Sequence, residues 1–167
     1  LESLEFGDKL GHEDDSEHRH NFEDVLRHGI NMKMELAPDE QIIEDKFPFD
    51  TMEQEAIDLE VGRYVEAGYA TQVNKEDCSI VSNVFVIPKG DGSWRLVYDS
   101  RCGNQFILPM ELDLPTPALI LKHKPKFLAK VDLSSAFMHI KIHKDLKKYM
   151  CFENEGKYYQ WERMIWG

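Results

Sequence analysis

The chain has 167 residues, enough for one domain around one modest core. Its composition, 42% hydrophobic and 31% charged with a mean hydropathy of −0.49, is that of a soluble globular protein, and no apolar run approaches the roughly 20 residues that cross a bilayer. The net charge of −11 argues against a nucleic-acid partner only until it is divided: residues 1–60 carry 5 Lys and Arg against 19 Asp and Glu, a net of −14, whereas residues 61–167 carry 15 against 12, a net of +3.

Affinity for phosphates follows local charge, so the lysines grouped at Lys122, Lys124, Lys126 and Lys130, and again at Lys141, Lys144, Lys147 and Lys148, read either as a solvated face or as a basic surface. The first residues, LESLEFGDKL, lack the basic start and apolar run of a secretion signal and also lack an initiator Met. The expectation is an intracellular protein, cytoplasmic or nuclear and not secreted, whose sequence begins inside a longer reading frame. Cys78, Cys102 and Cys151 are odd in number and far apart, which suggests neither a metal-ligand spacing nor a disulfide framework, so a reducing compartment is the simpler reading.

In chain order, residues 1–20 are acidic and without periodicity, and an unstructured segment is expected there. Phe22, Val25, Leu26 and Ile30 have helical spacing that Gly29 can stop, and Pro38 and Pro48 mark irregular chain. A stronger helix follows. Asp50 can cap it, Glu53 completes a capping box, Ile57, Val61, Tyr64 and Val65 fall on one face, and Gly68 ends it. Beyond Gly68 the period becomes that of strands: Val81–Ile87 and Trp94–Tyr98 form a hairpin across Lys89-Gly-Asp-Gly92. Pro109, Pro115 and Pro117 keep residues 107–121 out of a sheet. Phe127–Leu133 (FLAKVDL) reads as a buried strand ending in an acid, Met138–Ile142 alternates again, and Tyr149–Glu153 and Lys157–Glu162 form a second hairpin across Asn154-Glu-Gly156. The pattern divides the chain into an acidic, partly disordered segment at 1–49 and a folded domain at 50–167.

Asp132 is the most informative residue. A carboxylate at the end of an apolar strand, followed by Ser134, Ser135 and Phe137, serves either as a cap or lysine partner, or as a ligand for a hard cation such as Mg²⁺, which takes oxygen donors and keeps company with phosphates. The first hairpin carries a cation on each side of its glycine turn, Lys89 and Arg95. These read either as the basic rim of an exposed turn or as a point charge and a bidentate fork able to close over a triphosphate. His12, His18, His20 and His28, and His139 with His143, read as surface histidines, and no Ser/His/Asp or Cys/His arrangement stands out.

Taken in order, VFVIPKGDGSWRLVYDSRCGN, LPTPALI, FLAKVDLSSAFMHIKI and KKYMCFENEGKYYQWERMIWG, preceded by EAGYATQV, resemble the reverse transcriptases of retroelements over roughly residues 50–167. HIKIHKDLKKYMCF with GKYYQW is similar to retrotransposon enzymes of the DIRS or Ty3 type. The resemblance implies an α+β, partial right-hand polymerase fold, a fingers hairpin plus the start of an antiparallel palm sheet. It implies that Lys89 and Arg95 grip the phosphates of the incoming nucleotide, with Asp99, Arg101 and Asn104 supporting them. It implies that Asp132 is the first catalytic, metal-binding aspartate and that the backbone carbonyl of Leu133 is a further ligand. Ser135 and Ala136 would lie beneath the triphosphate, Phe137 would exclude a ribose 2′-hydroxyl, and Gln160 and Trp161 would lie in the strand leading to the template-side motif. Mg²⁺ or Mn²⁺ would be the cofactor, and an RNA or DNA template-primer with a deoxynucleotide the partners; nothing implies a membrane or specifies an oligomeric state.

Two departures matter. Met164-Ile-Trp-Gly167 stands where the family reads Leu-Pro-Phe-Gly or Leu-Pro-Gln-Gly, which puts the template and nucleotide contact there in doubt. The aromatic-x-Asp-Asp motif that completes the family's active site does not occur in these 167 residues, and Asp14-Asp15, in the polar first segment, cannot replace it. In-line nucleotidyl transfer places two metal ions on shared carboxylates, so the isolated chain is expected to be inactive. The alternative is a non-catalytic, retroelement-derived module that binds nucleic acid or protein; a third reading gives an interaction role to the acidic first third alone.

Overall fold

In the computed structural model, which describes residues 24–32, 34, 37–108, 122, 126, 127 and 129–165, the helix expected after Asp50 spans Thr51–Glu66 and is here called α1. Its capping box is complete: the Glu53 amide donates to the Asp50 carboxylate at 2.8 Å, and the Glu53 carboxylate accepts from the Asp50 amide at 3.1 Å. At the other end Gly68, with φ +70°, donates to the Val65 carbonyl, and Tyr69 donates back to Tyr64. This paired closure satisfies carbonyls the helix leaves open, and the Tyr64 and Tyr69 rings, 6.1 Å apart, supply the apolar contact that accompanies it. Ala56, Ile57 and Val61 are buried and Tyr64 meets Trp161, but Val65, expected on the same face, is exposed.

Among the described residues seven strands follow the pattern only in part. β1 (Ile42–Ile43), β2 (Ala70–Val73), β3 (Ile80–Ser82), β6 (Cys151–Asn154) and β7 (Lys157–Trp161) form one sheet in the order β1-β3-β6-β7-β2. β4 (Val84–Pro88) and β5 (Trp94–Tyr98) form a separate antiparallel hairpin. The run read as one strand at 81–87 is therefore two strands in two sheets. Asn83 makes the break: its backbone N–H donates to the Glu44 carboxylate, its side-chain amide donates to the Asp45 carbonyl, and its carbonyl accepts from Asp99. The second hairpin is as expected in type, with Glu155-Gly156 as its two-residue loop, both at positive φ, which suits the twist of the flanking strands. It begins later than read, because Lys147–Tyr149 is a single 3₁₀ turn.

The core lies between α1, the β4–β5 hairpin and the sheet. Trp161 and Phe152 are fully buried at its centre, 4.7 Å apart, with Tyr64 and Tyr98 edge-on to Trp161. The folded body also takes in more of the acidic segment than a boundary at residue 50 allows. β1 pairs with β3, Ile30 bridges Ile142, and Met34 bridges Ile107. Residues 24–28 are helical and Gly29, at φ +90°, ends that stretch as expected. The expectation for residues 1–20 and most of the proline-rich link at 109–121 lie outside the described residues.

Two expected strands do not form. Of Phe127–Leu133, the described residues 127 and 129–133 are neither in a strand nor buried; Phe127, Val131 and Leu133 are 91%, 82% and 65% exposed. An apolar sequence becomes a strand only when neighbours take up its backbone hydrogen bonds and its side chains, and among the described residues no strand pairs with it. Met138–Ile142 likewise is not a strand: Ala136–His139 form a 3₁₀ turn, and Lys141 and Ile142 make isolated bridges to Arg163 and Ile30. Among the described residues no helix is long and apolar enough to cross a membrane.

Candidate nucleotide and template site

The β4–β5 register sorts the hairpin's side chains onto two faces. Val84, Val86, Leu96 and Tyr98 turn into the core, while Phe85, Ile87, Arg95 and Val97 take the opposite face, with Ile87 paired to Arg95 and Phe85 to Val97. Lys89, two residues beyond Ile87, continues that outer row. The loop between the strands is closed by Lys89 N–H donating to Ser93, Gly92 N–H donating to Lys89, and Asp91 accepting from the Ser93 amide and hydroxyl at 3.0 and 2.6 Å. Those hydroxyl and amide hydrogen bonds hold the Asp91 carboxyl below the usual range. The ammonium of Lys89 and the guanidinium of Arg95 are thus exposed together on one face of one hairpin, and among the described residues neither is held in a salt bridge.

Asp99 leaves the end of β5 and Arg101 opens the short helix α2 (Arg101–Asn104). The Arg101 guanidinium grips the Asp99 carboxylate from Nε at 2.8 Å and from Nη2 at 2.5 Å, and the Arg101 backbone N–H adds a third bond at 3.1 Å. Asn104 donates from its side chain to the Ser100 hydroxyl and does not touch the pair. The Asp99 side chain is 5% exposed and that of Arg101 is 80% exposed, so the carboxylate is an anchor and the guanidinium is presented outward. The Arg101 hydrogen bond lowers the Asp99 pKa, against a smaller opposing effect of burial. Stability from this carboxylate is therefore full above the unfolded value of about 4 and is lost as the pH falls through the lower folded value. Asp99→Asn should lower the melting temperature at pH 7, with the gap to the parent closing below about pH 4. A gap unchanged from pH 7 to pH 2 would show that the carboxylate's charge is not what stabilises this corner.

Between the outer face of this hairpin and residues 47–49 lies a cleft of about 580 Å³, lined by Phe47, Phe49, Phe85, Val97, Asp99 and Arg101 among others. Phe47 meets Phe85 edge-on at 6.1 Å. The sequence reading missed Phe85 and Phe47; the alternation in Val-Phe-Val-Ile, which sets Phe85 opposite the buried valines, was the signal for the first.

Asp132 and the backbone of Leu133 lie in the exposed, non-strand segment, not at the end of a central antiparallel strand as expected. Ser135 has φ +52°, rare for a residue with a side chain, and heads the turn Ala136–His139. Met138 anchors that turn in the core, and the Met138 amide donates to the Ser135 carbonyl at 2.9 Å, while Phe137 is partly exposed beside it. Among the described residues no three His, Cys, Asp or Glu side chains gather to hold a metal ion. Asp132 and Leu133 offer oxygen donors of the right kind for Mg²⁺ but at most two of the roughly six it takes. Gln160 and Trp161 lie in β7, where Gln160 donates to the Asp77 carbonyl and Trp161 is core. Of the lysine groups, Lys147 is paired with Glu162, and Lys148 stands over the Tyr149 ring at 4.8 Å. His143 faces Asp145 and His139 faces the Ser134 carbonyl, so these two do not form a joint site.

No family model matches the chain. Curated relatives are Pol-type polyproteins. The endogenous retrovirus group K member 9 Pol protein of Homo sapiens is 31% identical over 109 residues, 63% of this chain and 9% of that protein. The Gag-Pro-Pol polyprotein of bovine leukemia virus (isolate Australian) is 30% identical over 110 residues, 64% of this chain and 8% of that protein, and that of squirrel monkey retrovirus is 35% identical over 72 residues, 41% and 4%. The chain thus spans less than a tenth of the length of each of these relatives. Among solved structures, the protease-reverse transcriptase of prototype foamy virus superposes with a TM-score of 0.63 at 22% identity, covering 81% of this chain and 18% of that one. The chain has the α+β polymerase fold of a reverse transcriptase, and it is a reverse-transcriptase-like region similar to part of these retroviral and retroelement Pol polyproteins.

Proposed function

We propose that this chain is the fingers and first part of the palm of an RNA-directed DNA polymerase, and that its origin is a retrotransposon of DIRS or Ty3 type. The observation that carries the reading is the shared outer face of Lys89 and Arg95 on one hairpin, backed by an arginine–carboxylate pair at the hairpin's base. Two exposed cations suit a triphosphate: Lys89 as a point charge on a flexible stem, Arg95 as a planar fork. Asp99 holds Arg101 outward at the aromatic cleft, where a guanidinium beside Phe85 suits a nucleic-acid strand and its stacked bases. Ser135 and Ala136 would pass beneath the nucleotide, and Phe137 would stand against its sugar.

A divalent cation, Mg²⁺ or Mn²⁺, would neutralise charge at the transferring phosphoryl group; of its donors this chain contributes the Asp132 carboxylate and the Leu133 carbonyl. In this reading the exposed Phe127, Val131 and Leu133 lie on one face of an inner palm strand that forms when a strand bearing the remaining carboxylates pairs with it. The working partners are template-primer and deoxynucleotide inside the cell, in cytoplasm or nucleus. The exposure of Asp132 favours a second reading for the 167 residues by themselves, a module that holds nucleic acid without catalysis.

The test is binding of a fluorescent template-primer and a deoxynucleoside triphosphate to the chain and to Lys89→Ala and Arg95→Ala. Each variant should weaken triphosphate binding by about ten- to a hundredfold, the worth of a charge-assisted hydrogen bond, with a shallower salt dependence. Lys157→Ala, at the start of β7, should not. Unchanged affinity in both hairpin variants would remove the gripping role. Extension of the reading frame and its placement among retroelement polymerases tests the DIRS or Ty3 origin.

A further inference from the structure

We propose that Cys78 and Cys151 are a redox-modification site, a thiol pair that peroxide converts to a reversible disulfide clasping a short parallel seam of the main sheet. The seam is the junction of β3 with β6. It holds two register pairs, Val81 with Cys151 and Ser82 with Phe152, as few as β1–β3, whereas β2–β7 and β6–β7 hold four each. β1 reaches the rest of the sheet through β3, so this short parallel junction joins the two halves.

Both thiols are free and buried, at 3% and 0% exposure, in a small cluster with Val81, flanked by Val73 and Tyr158 and separate from the main core. One carbonyl brings the two segments together: Lys148 accepts from the Ser79 amide at 2.6 Å and from the Cys151 thiol at 3.4 Å. The Cys151 thiol also donates to the Lys147 carbonyl at 3.4 Å, and the Cys78 thiol to the Asn74 carbonyl at 3.8 Å. Cys102 lies on α2, outside this cluster. The two residues differ in access. Cys151 is inside β6, whereas Cys78 follows the one-turn 3₁₀ element Lys75–Asp77, outside any strand, its carbonyl and that of Lys75 accepting from the Gln41 side chain. Cys78 is also the better nucleophile, since its Cys151 neighbour holds its pKa below the ordinary thiol value while that of Cys151 is pushed up.

The chemistry balances with peroxide as the oxidant. The Cys78 thiolate, its proton released to solvent, attacks one peroxide oxygen; the O–O bond breaks, hydroxide leaves and takes up a proton, and Cys78 becomes a sulfenic acid. The Cys151 sulfur then attacks the Cys78 sulfur. The S–S bond forms, the S–O bond breaks, and hydroxide leaves with the Cys151 proton as water. Two thiols lose two electrons, and one peroxide becomes two waters. The cross-link would tie the 75–78 turn to β6. Gln160, the β7 partner of Cys151, already donates to the Asp77 carbonyl at 2.9 Å across the same place.

The experiment exposes the native chain to hydrogen peroxide, blocks free thiols, and reads intact mass, a non-reducing peptide map and the urea midpoint. The expected result is a loss of roughly 2 Da, one peptide pair joined through Cys78 and Cys151, Cys102 not part of the link, and a higher urea midpoint that dithiothreitol reverses. Cys102→Ser should give the same link. Oxygen addition without a cross-link, a link through Cys102, or native Cys78 and Cys151 that stay reduced while unfolded chain oxidises would each overturn the proposal.

Discussion

Primer extension on a primed RNA template should fall at least about a thousandfold when Asp132 is replaced by Asn in a chain extended to include an aromatic-x-Asp-Asp segment, because several kcal/mol of charge stabilisation disappear and each 1.4 kcal/mol is about tenfold. The substitution keeps the side chain's shape and removes its negative charge. The 167-residue chain by itself should make no product, since Asp132 and the Leu133 carbonyl are too few donors and Phe127–Leu133 has no strand beside it among the described residues. The comparison runs the 167 residues, the extended chain and its Asp132→Asn form with labelled deoxynucleotides and Mg²⁺. Synthesis by the 167 residues alone would end the argument from incomplete carboxylates. An active Asp132→Asn extended chain would end the assignment of Asp132. The extended chain should also protect residues 127–133 from hydrogen exchange, a readout independent of turnover.

Gly29→Ala should cost roughly 2–4 kcal/mol of stability, more than any surface change in this chain. Two effects add. The backbone there has φ +90°, outside the range that residues with a side chain readily take. An added Cβ would also lie 2.8 Å from the Ile142 carbonyl carbon and 2.9 Å from the His143 nitrogen and the Lys141 oxygen, all backbone atoms. Those atoms are fixed by the Ile30 amide donating to Lys141 and the His143 amide donating to Ile30, so the neighbour cannot step aside without losing hydrogen bonds. Gly62→Ala is the control. It lies inside α1 with nothing within 4 Å of its added Cβ, and should stabilise by about 0.5–1 kcal/mol. Urea midpoints at constant slope measure both. Similar values for the two would mean that Gly29 and Ile30 do not pack on Lys141–His143 in solution.

What the sequence by itself determined is local. The caps of α1, the glycine that ends it, the Lys89–Gly92 turn and the Glu155-Gly156 hairpin each depend on a few adjacent residues whose backbone preferences agree with the fold. Lys89 and Arg95 were legible for the same reason, as cations flanking a hairpin's glycine turn; Asp99 and Arg101 were named only by the family resemblance, and the structure pairs them. The tertiary structure decided whatever depended on a partner remote in sequence. Ile42 and Ile43 are a strand only because β3 lies beside them, and Asn83 divides one apolar run between two sheets because Glu44, Asp45 and Asp99 reach it. Gly29 is close-packed only because Ile142 crosses it. Phe127–Leu133 has the composition of a buried strand, and its described residues are exposed, because composition supplies the apolar side chains but only a neighbouring strand can take up the backbone hydrogen bonds that make them a sheet.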